Sequence, residues 1–209
     1  MPQTTSYYTV LSGDLVDSRK LSSDDYDNAL YSLEQGLRAI CERFDGDFSI
    51  YRGDAFQCIL SQSPTPLLAS IMLRLFLRAR ALDARISEAW GPIDNYRKDI
   101  KTATGPALLL SGTGLDNIKN MRLRLSLHQI DMSPSFVLNI RFIDNLISHT
   151  SAKQAQALYL YHWLRNNDHA TIAKELETSR ENATKLLNAG NYHLVDEFIA
   201  VAAKEHAYG

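Results

Sequence analysis

The sequence has few cysteines and no long apolar run, and these absences exclude several classes of protein. Only two cysteines, Cys41 and Cys58, occur in 209 residues, so a disulfide framework is excluded and buried thiols are expected. No uninterrupted apolar run reaches the ~18 residues that a membrane-spanning helix needs. Residues 1–6 are polar and lack the pattern of a secretory signal. We therefore expect a cytoplasmic protein that does not enter the membrane.

The sequence also lacks an excess of either charge, because its formal net charge is −2. No global field therefore draws the chain to nucleic acid, and any DNA contact has to rest on a local patch. The six histidines show no metal-ligand spacing. A hydrophobic content of 45% is ordinary for a globular protein with a real core, of one large domain or two small ones.

Two short segments that each contain a Gly-Asp pair are the most informative feature present. Residues 12–20 read SGDLVDSRK and residues 51–57 read YRGDAFQ. In each segment the pair lies at the edge of an apolar run that is typical of a strand. Glycine lets a backbone approach a ligand, and aspartate offers hard oxygen to a cation. Gly-Asp is also common in turns, so a structural role stays open.

The order of predicted elements indicates how the two segments meet. Strand, helix, hairpin, helix, strand and helix follow one another through residue 130. This order favours an α+β fold with a mostly antiparallel sheet and helices packed on one face. The second Gly-Asp then lies at a hairpin tip, beside the end of the first strand. We expect Asp14 and Asp54 to lie close together.

These motifs resemble the SatD family of bacterial proteins and, more remotely, the ferredoxin-like palm of class III nucleotidyl cyclases. The resemblance covers about residues 7–130 and includes Gly105-Pro106-Ala107 at the start of a helix. It implies that Asp14, Asp54 and the carbonyl of Leu15 bind Mg²⁺. Neighbouring residues can donate to the phosphates of a nucleotide held by this metal, and simple solvation is the alternative for the Arg and Lys side chains. The neighbouring residues are Gly13, Ser18, Arg19, Lys20, Arg52 and Gly53.

The chain departs from the cyclase pattern at three positions. The Asn and Arg that stabilise the cyclase transition state correspond to Leu109 and Thr113, and the purine-reading residue corresponds to Ile50. Phosphoryl transfer needs charge stabilisation that these side chains cannot supply. No catalytic residue can therefore be named. Metal-dependent nucleotide binding without turnover, or a different phosphoryl chemistry, is left open.

The C-terminal part resembles the helix-turn-helix of sigma-factor region 4. Residues 171–189 read TIAKELETSRENATKLLNA, in which Thr171 is predicted to cap the second helix and Thr178-Ser179 to form the turn. The residues predicted to contact DNA are Ser179, Arg180, Asn182, Thr184 and Lys185. Residues 151–209 hold six Lys or Arg against seven Asp or Glu. A unit that only packs or dimerises is therefore the alternative.

Together these features predict a regulator in two parts. Residues 1–130 form the cyclase-like domain, residues 131–150 a connecting helix and residues 151–209 an all-α helix-turn-helix domain. The first part is expected to sense a nucleotide with Mg²⁺ and the last to bind DNA, as a homodimer. A Mg-dependent nucleotidyl-transfer enzyme and a non-catalytic interaction module are the alternatives.

Overall fold

The computed structural model describes residues 6–63, 65–94, 96, 100–164 and 166–207. Pro64 and parts of the predicted loop at 95–104 lie outside them. Five strands are present: β1 (Tyr7–Leu15), β2 (Gly46–Tyr51), β3 (Ala55–Leu60), β4 (Ala84–Pro92) and β5 (Leu123–Leu127). The helices are α1 (Ser23–Phe44), α2 (Leu68–Arg78), α3 (Pro106–Asp116), α4 (Pro134–Ser148), α5 (Ala152–Trp163), α6 (His169–Glu175), α7 (Arg180–Ala189) and α8 (Tyr192–Ala207).

The strands form one mixed sheet in the order β2-β3-β1-β4-β5. The three pairs β2–β3, β3–β1 and β1–β4 are antiparallel, and only β4–β5 is parallel. The predicted α+β class with a mostly antiparallel sheet is therefore confirmed. β1 lies at the centre of the sheet, so its C-terminal end is flanked by the β2–β3 hairpin on one side and by β4 on the other.

Helices cover both faces of the sheet, so the prediction of helices on one face is wrong. Leu11 and Leu15 belong to the main core, together with apolar side chains of α1 and α2. Val10, which precedes Leu11 in the chain, packs on the opposite face with Ala107 of α3. Ser12 on that face bonds to Ser111 of α3 at 2.9 Å. Because β1 is buried on both faces, its sequence shows no alternation that would have indicated one covered face.

A buried ion-pair network joins α2 to α4. The guanidinium of Arg74 is fully buried and lies 2.9 Å from an Asp83 oxygen and 2.7 Å from an Asp144 oxygen. Burial opposes ionisation of Asp83, but the hydrogen bond and charge of Arg74 outweigh it, so the pKa of Asp83 lies below its ordinary value. The network fixes one face of α4 against the α+β layer.

The C-terminal helices share the core of the sheet layer. Ala155 and Leu158 of α5, and Leu187 of α7, belong to the same buried cluster as Leu11 of β1, and α5 packs along α2. A separate all-α domain is therefore not shown, because apolar faces on α2 and α5 cover one another. The boundaries at residues 130 and 150 stay a prediction.

Among the residues that the structure describes, no helix is long and apolar enough to span a bilayer.

Candidate functional site

The first Gly-Asp pair lies at the C-terminal end of β1. Asp14 lies directly opposite Arg85 in the register between β1 and β4. The two side chains form a bidentate ion pair, with Arg85 Nε 2.8 Å from Asp14 Oδ1 and Arg85 Nη2 bonded to Asp14 Oδ2. Bidentate pairing of a guanidinium with a carboxylate is a strong, directional contact. Both oxygens of Asp14 therefore already have a partner.

The second Gly-Asp pair lies at the tip of the β2–β3 hairpin. Arg52 and Gly53 both have positive φ, 48° and 86°, which glycine adopts without strain. This turn directs Asp54 toward β1, where its Oδ2 accepts a hydrogen bond from the Leu15 N–H at 3.0 Å. The two Gly-Asp segments thus meet, as their predicted positions at neighbouring strand ends required.

A cavity of about 510 Å³ lies where the two segments meet. It is referred to below as the corner cavity. Its lining contains three carboxylates and three cations, and it includes most of the predicted metal and phosphate ligands. The lining residues are Asp14, Leu15, Val16, Asp17, Ser18, Arg19, Lys20, Asp54 and Arg85. Gly13, Arg52 and Gly53, which were also predicted to contact a nucleotide, are not among them.

Gly13 has a packing role at this corner. A Cβ at this position would lie 2.5 Å from both the Arg85 carbonyl oxygen and the ring of Phe56. Such contacts are too short for real atoms, so only glycine lets β1 lie against its neighbours here. Gly13 therefore positions Asp14, its neighbour in the chain, opposite Arg85.

The charges of the corner cavity are largely paired within it. The hydrogen bond with Asp14 raises the pKa of Arg85, burial opposes the rise, and the charges of Asp14 and Asp54 add to it. Lys20 lies 2.8 Å from Asp17, which lies on the surface. This hydrogen bond and charge lower the pKa of Asp17. Among the described residues, Arg19 has no ion-pair partner.

The residues of the corner cavity fit a magnesium ion carried by phosphates. Mg²⁺ is usually held by one or two carboxylates together with substrate phosphates and waters. Asp14 and Asp54 supply two carboxylates, and Asp54 Oδ1 has no hydrogen bond within the described part of the chain. No group of three or more acidic, histidine or cysteine side chains among the described residues is arranged to hold a metal. A metal bound here would depend on the phosphates for further ligands.

Arg85 is the site residue that sequence reasoning missed. It was assigned only to a short strand, β4, and the pairing of β4 with β1 joins residues 71 positions apart. The available signal was a charged residue near the start of a strand that also carries Ser87 and Glu88. Its partner depends on strand register, which no local pattern determines.

The three positions that depart from the cyclase pattern do not contribute polar groups to the corner cavity. Leu109 is 71% exposed on the outer side of α3, and Thr113 is exposed on the same helix. Ile50 packs against the main core. None of the three lines the corner cavity.

The predicted helix-turn-helix corresponds to α5, α6 and α7. Ser179 caps α7 by accepting a hydrogen bond from the Asn182 N–H, as predicted. The cap of α6 is Asp168 and not Thr171, because the Asp168 carboxylate accepts from the N–H groups of residues 170 and 171. Aspartate is favoured at the N-cap position at least as strongly as threonine.

The predicted DNA-contacting residues differ in how free their side chains are. The Asn182 amide donates to Thr178 Oγ1 at 2.9 Å, and Thr184 Oγ1 bonds with the His169 ring at 2.8 Å. Arg180 and Lys185 are exposed on α7 and have no ion-pair partner among the described residues. Two cations therefore form the free part of this face.

Comparison with known proteins finds solved structures of similar shape. The guanylyl cyclase Cya2 is similar at a TM-score of 0.45 and 14% identity, covering 57% of this chain and 74% of that chain. A guanylyl cyclase domain of the RhoGC fusion protein from the aquatic fungus Blastocladiella emersonii is similar at 0.42 and 16%, covering 55% and 75%. A bacterial light-regulated adenylyl cyclase is similar at 0.43 and 15%, covering 59% and 77%.

These likenesses carry no conclusion about family or activity, since every TM-score quoted is below 0.5. No family model matches the chain, and no curated protein matches it. The resemblance to the SatD family stays a prediction.

Proposed function

We propose that this protein is a nucleotide sensor that binds a nucleoside triphosphate with Mg²⁺ in the corner cavity. One observation carries the proposal: Asp54 bonds to the Leu15 N–H at 3.0 Å, and this contact brings both Gly-Asp segments to one cavity. The cavity supplies carboxylates for a metal and cations for phosphate oxygens. Because carboxylates and cations occur together, the cavity suits a triphosphate that carries Mg²⁺ better than it suits Mg²⁺ alone or a triphosphate alone.

The ion pair between Asp14 and Arg85 gives the cavity two states. Without a ligand, the guanidinium occupies both oxygens of Asp14. Arg85 is 42% exposed at its side chain, so it has room to turn toward a phosphate when a metal takes its place at Asp14. Binding then breaks the ion pair between Asp14 and Arg85 and forms two new ones, Asp14 with the metal and Arg85 with a phosphate. Because an existing contact is lost, the net affinity is limited, and this suits reversible sensing.

Binding without turnover is the expected behaviour. Phosphoryl transfer requires groups that stabilise the charge of the transition state, and Leu109, Thr113 and Ile50 supply none. A nucleotidyl-transfer enzyme remains the alternative. It would show product from a nucleoside triphosphate in the presence of Mg²⁺ or Mn²⁺.

The test is calorimetric titration of the four nucleoside triphosphates with Mg²⁺ against the wild-type protein and Asp54→Asn. The asparagine oxygen still accepts from the Leu15 N–H, so the fold is retained while the metal-binding charge is lost. We expect metal-dependent binding by the wild type and a loss of about tenfold or more in the variant. Asp27→Asn, on the exposed side of α1, is the matched control. Binding that ignores Asp54→Asn would overturn the proposal.

A second candidate function is DNA binding by α7. The observation that favours it is the pair of free cations, Arg180 and Lys185, on the outer face of the second helix of the α6–α7 pair. A recognition helix uses such residues on phosphates and base edges. A two-fold symmetric DNA site would require a homodimer, which we propose together with DNA binding. Light scattering measures whether the protein is a dimer.

Gel retardation with a random duplex library tests DNA binding. We expect retained sequences whose binding falls several-fold in Arg180→Ala and Lys185→Ala and falls steeply with salt. Lys153→Ala, on α5, is the control. If no duplex is retained, or if both α7 variants bind as the wild type does, α7 has a packing role only.

A further inference from the structure

A second and larger cavity, of about 750 Å³, shares no lining residue with the corner cavity. It is formed between α4 and the segment that runs from the end of α3 into β5, the edge strand. It is called the cationic cavity below. Its lining residues are Asn117, Ile118, Lys119, Asn120, Met121, Arg122, Arg124, Leu125, Met132, Val137, Ile140, Arg141, Asp144, Asn145, Ser148 and His149.

One wall of the cationic cavity is a single stripe of α4. Its members are spaced three and four residues apart and so share one helix face. Arg141 and Asn145 are the exposed polar members of this stripe, and Asp144 is its buried one. The opposite wall carries Lys119, Arg122 and Arg124. Four lysine or arginine residues thus line the cavity with one carboxylate.

That one carboxylate is not available to the cations. Asp144 Oδ1 lies 2.7 Å from Arg74, which belongs to the buried network beneath the cavity. Asp144 Oδ2 accepts from the Arg122 backbone N–H at 3.0 Å. The side chain of Arg122 lies 2.7 Å from Asp83. Asp83 and Asp144 are therefore both already paired with arginine side chains.

Arg124 has no ion pair among the described residues, and the same holds for Lys119 and Arg141, which lie on opposite walls. Both are exposed, and neither forms an ion pair with any residue that the structure describes. The chain as a whole has a net charge of −2, so this cavity is more positive than the protein surface as a whole. Unpaired cations in a concave, partly dry setting attract anions more strongly than cations on an open surface.

The floor of the cationic cavity is apolar. Leu125 and Ile140 are each 3% exposed there, and Met132 and Val137 border them. Asparagine amides at 117, 120 and 145 lie around the rim and can donate or accept hydrogen bonds. A volume of this size is that of a small-molecule site. An apolar floor with a cationic rim matches a ligand that has both a flat apolar part and phosphate groups.

We propose that the cationic cavity binds a small phosphorylated molecule with an aromatic group, of the nucleotide class, and that it does so without a metal ion. The phosphates would be held by Lys119 and Arg141, and the aromatic group would lie on Leu125 and Ile140. This site is separate from the corner cavity, where carboxylates require a metal to bring phosphate near. One chain would thus carry one metal-dependent and one metal-independent anion site.

The test uses ATP as probe, in buffer that contains EDTA so that the corner cavity is silent. Calorimetric titration is made with the full-length wild type, Lys119→Glu and Arg141→Glu. Both side chains are exposed, so the variants are expected to fold, and circular dichroism verifies this. Each variant should weaken ATP binding by about tenfold or more, the loss of one charge-assisted hydrogen bond. Lys153→Glu, an exposed cation on α5 away from the cavity, should bind ATP as the wild type does.

Three further probes separate the possible sources of binding. Adenosine should not bind measurably, and inorganic triphosphate should bind more weakly than ATP because it has no group for the apolar floor. Duplex DNA of 20 base pairs should not compete with ATP. The proposal is overturned if ATP does not bind in EDTA, or if Lys153→Glu weakens binding as much as the two cavity variants. It is also overturned if inorganic triphosphate or duplex DNA binds as well as ATP.

Discussion

The corner cavity and the cationic cavity contain similar side chains but differ in how their charges are paired. In the corner cavity, carboxylates and cations occur in equal number, and Arg85 and Lys20 each pair with a carboxylate of the same cavity. In the cationic cavity, the single carboxylate is bound by Arg74 from the interior. Lys119 and Arg141 have no counter-ion among the described residues.

This difference determines what each cavity requires of a ligand. Under the proposed functions, a ligand of the corner cavity has to replace the ion pair between Asp14 and Arg85, and a metal that compensates Asp14 would allow this. A ligand of the cationic cavity meets cations that are already free, and it gains their charge without breaking a contact. Buried ion pairs below a surface can thus decide the charge of the surface itself.

The largest expected effect is on stability, from Arg74→Met. Methionine keeps most of the volume, but Asp144 is left buried without a cation, which costs about 3–5 kcal/mol. Urea denaturation of variant and wild type measures this loss. The freed Asp144 would also pair with the cations of the cationic cavity and weaken ATP binding in EDTA.

The control for this prediction is Arg38→Met, because Arg38 forms an exposed ion pair with Glu34. Such pairs contribute about 1 kcal/mol or less. An equal loss of unfolding free energy in both variants would show that Arg74 does not neutralise Asp144 in the interior. The contrast drawn between the charges of the two cavities would then be wrong.

The second expected effect comes from Glu88 of β4, the strand that also carries Arg85. Glu88 points to the opposite face, where it accepts from the Leu67 N–H and the Ser70 hydroxyl, each at 2.6 Å. It has no cation partner in the part of the chain that the structure describes. Burial raises the pKa of Glu88 from 4.5 to about 7, against the lowering effect of these hydrogen bonds. Asp14 is paired with Arg85 of β4, whereas Glu88 is a buried carboxylate held by neutral donors.

The raised pKa predicts the direction of a pH dependence. Between the ordinary pKa of 4.5 and a folded-state pKa of about 7, the unfolded chain loses the proton and the folded protein keeps it. The free energy of unfolding therefore falls as pH rises through this range, by up to about 3 kcal/mol. Glu88→Gln should remove this contribution. Urea denaturation of both proteins at pH 5 and pH 8 measures it, and equal pH dependence would refute the assignment.

The smallest expected effect is that Arg85→Gln tightens metal binding in the corner cavity. Glutamine cannot hold Asp14 in a bidentate ion pair, so Mn²⁺ no longer competes with a cation. We expect affinity for Mn²⁺ to rise roughly tenfold, as measured by electron paramagnetic resonance of free Mn²⁺. Arg38→Gln is the control. Weaker binding in Arg85→Gln would mean that Arg85 organises Asp14 for the metal instead of blocking it.

Local sequence patterns predicted several turns, caps and strand ends well. The hairpin with Gly53 at its tip, the cap of α7 at Ser179 and the strand that ends at Asp14 depend on residues near in sequence. Because turns and caps are formed by a few consecutive residues, their chemistry is readable without knowledge of the fold.

Non-local contacts account for the errors and omissions. Arg85 became a site residue through strand register, and α3 covered the second face because β1 is apolar on both sides. The shared core of α2 and α5 replaced the expected separation of an all-α domain. Each of these depends on which apolar surfaces meet, and many arrangements of the same elements bury a similar area.

Two aspartates beside glycines, read along the chain, were enough to predict that the two Gly-Asp segments meet, and the structure brings them to one cavity. Tertiary structure alone decided that Arg85 pairs with Asp14. It also decided that Lys119 and Arg141 face one cavity with no counter-ion among the residues that the structure describes. The reason is physical: a residue type carries its own charge, but the partner that neutralises this charge is chosen by the packing of distant segments.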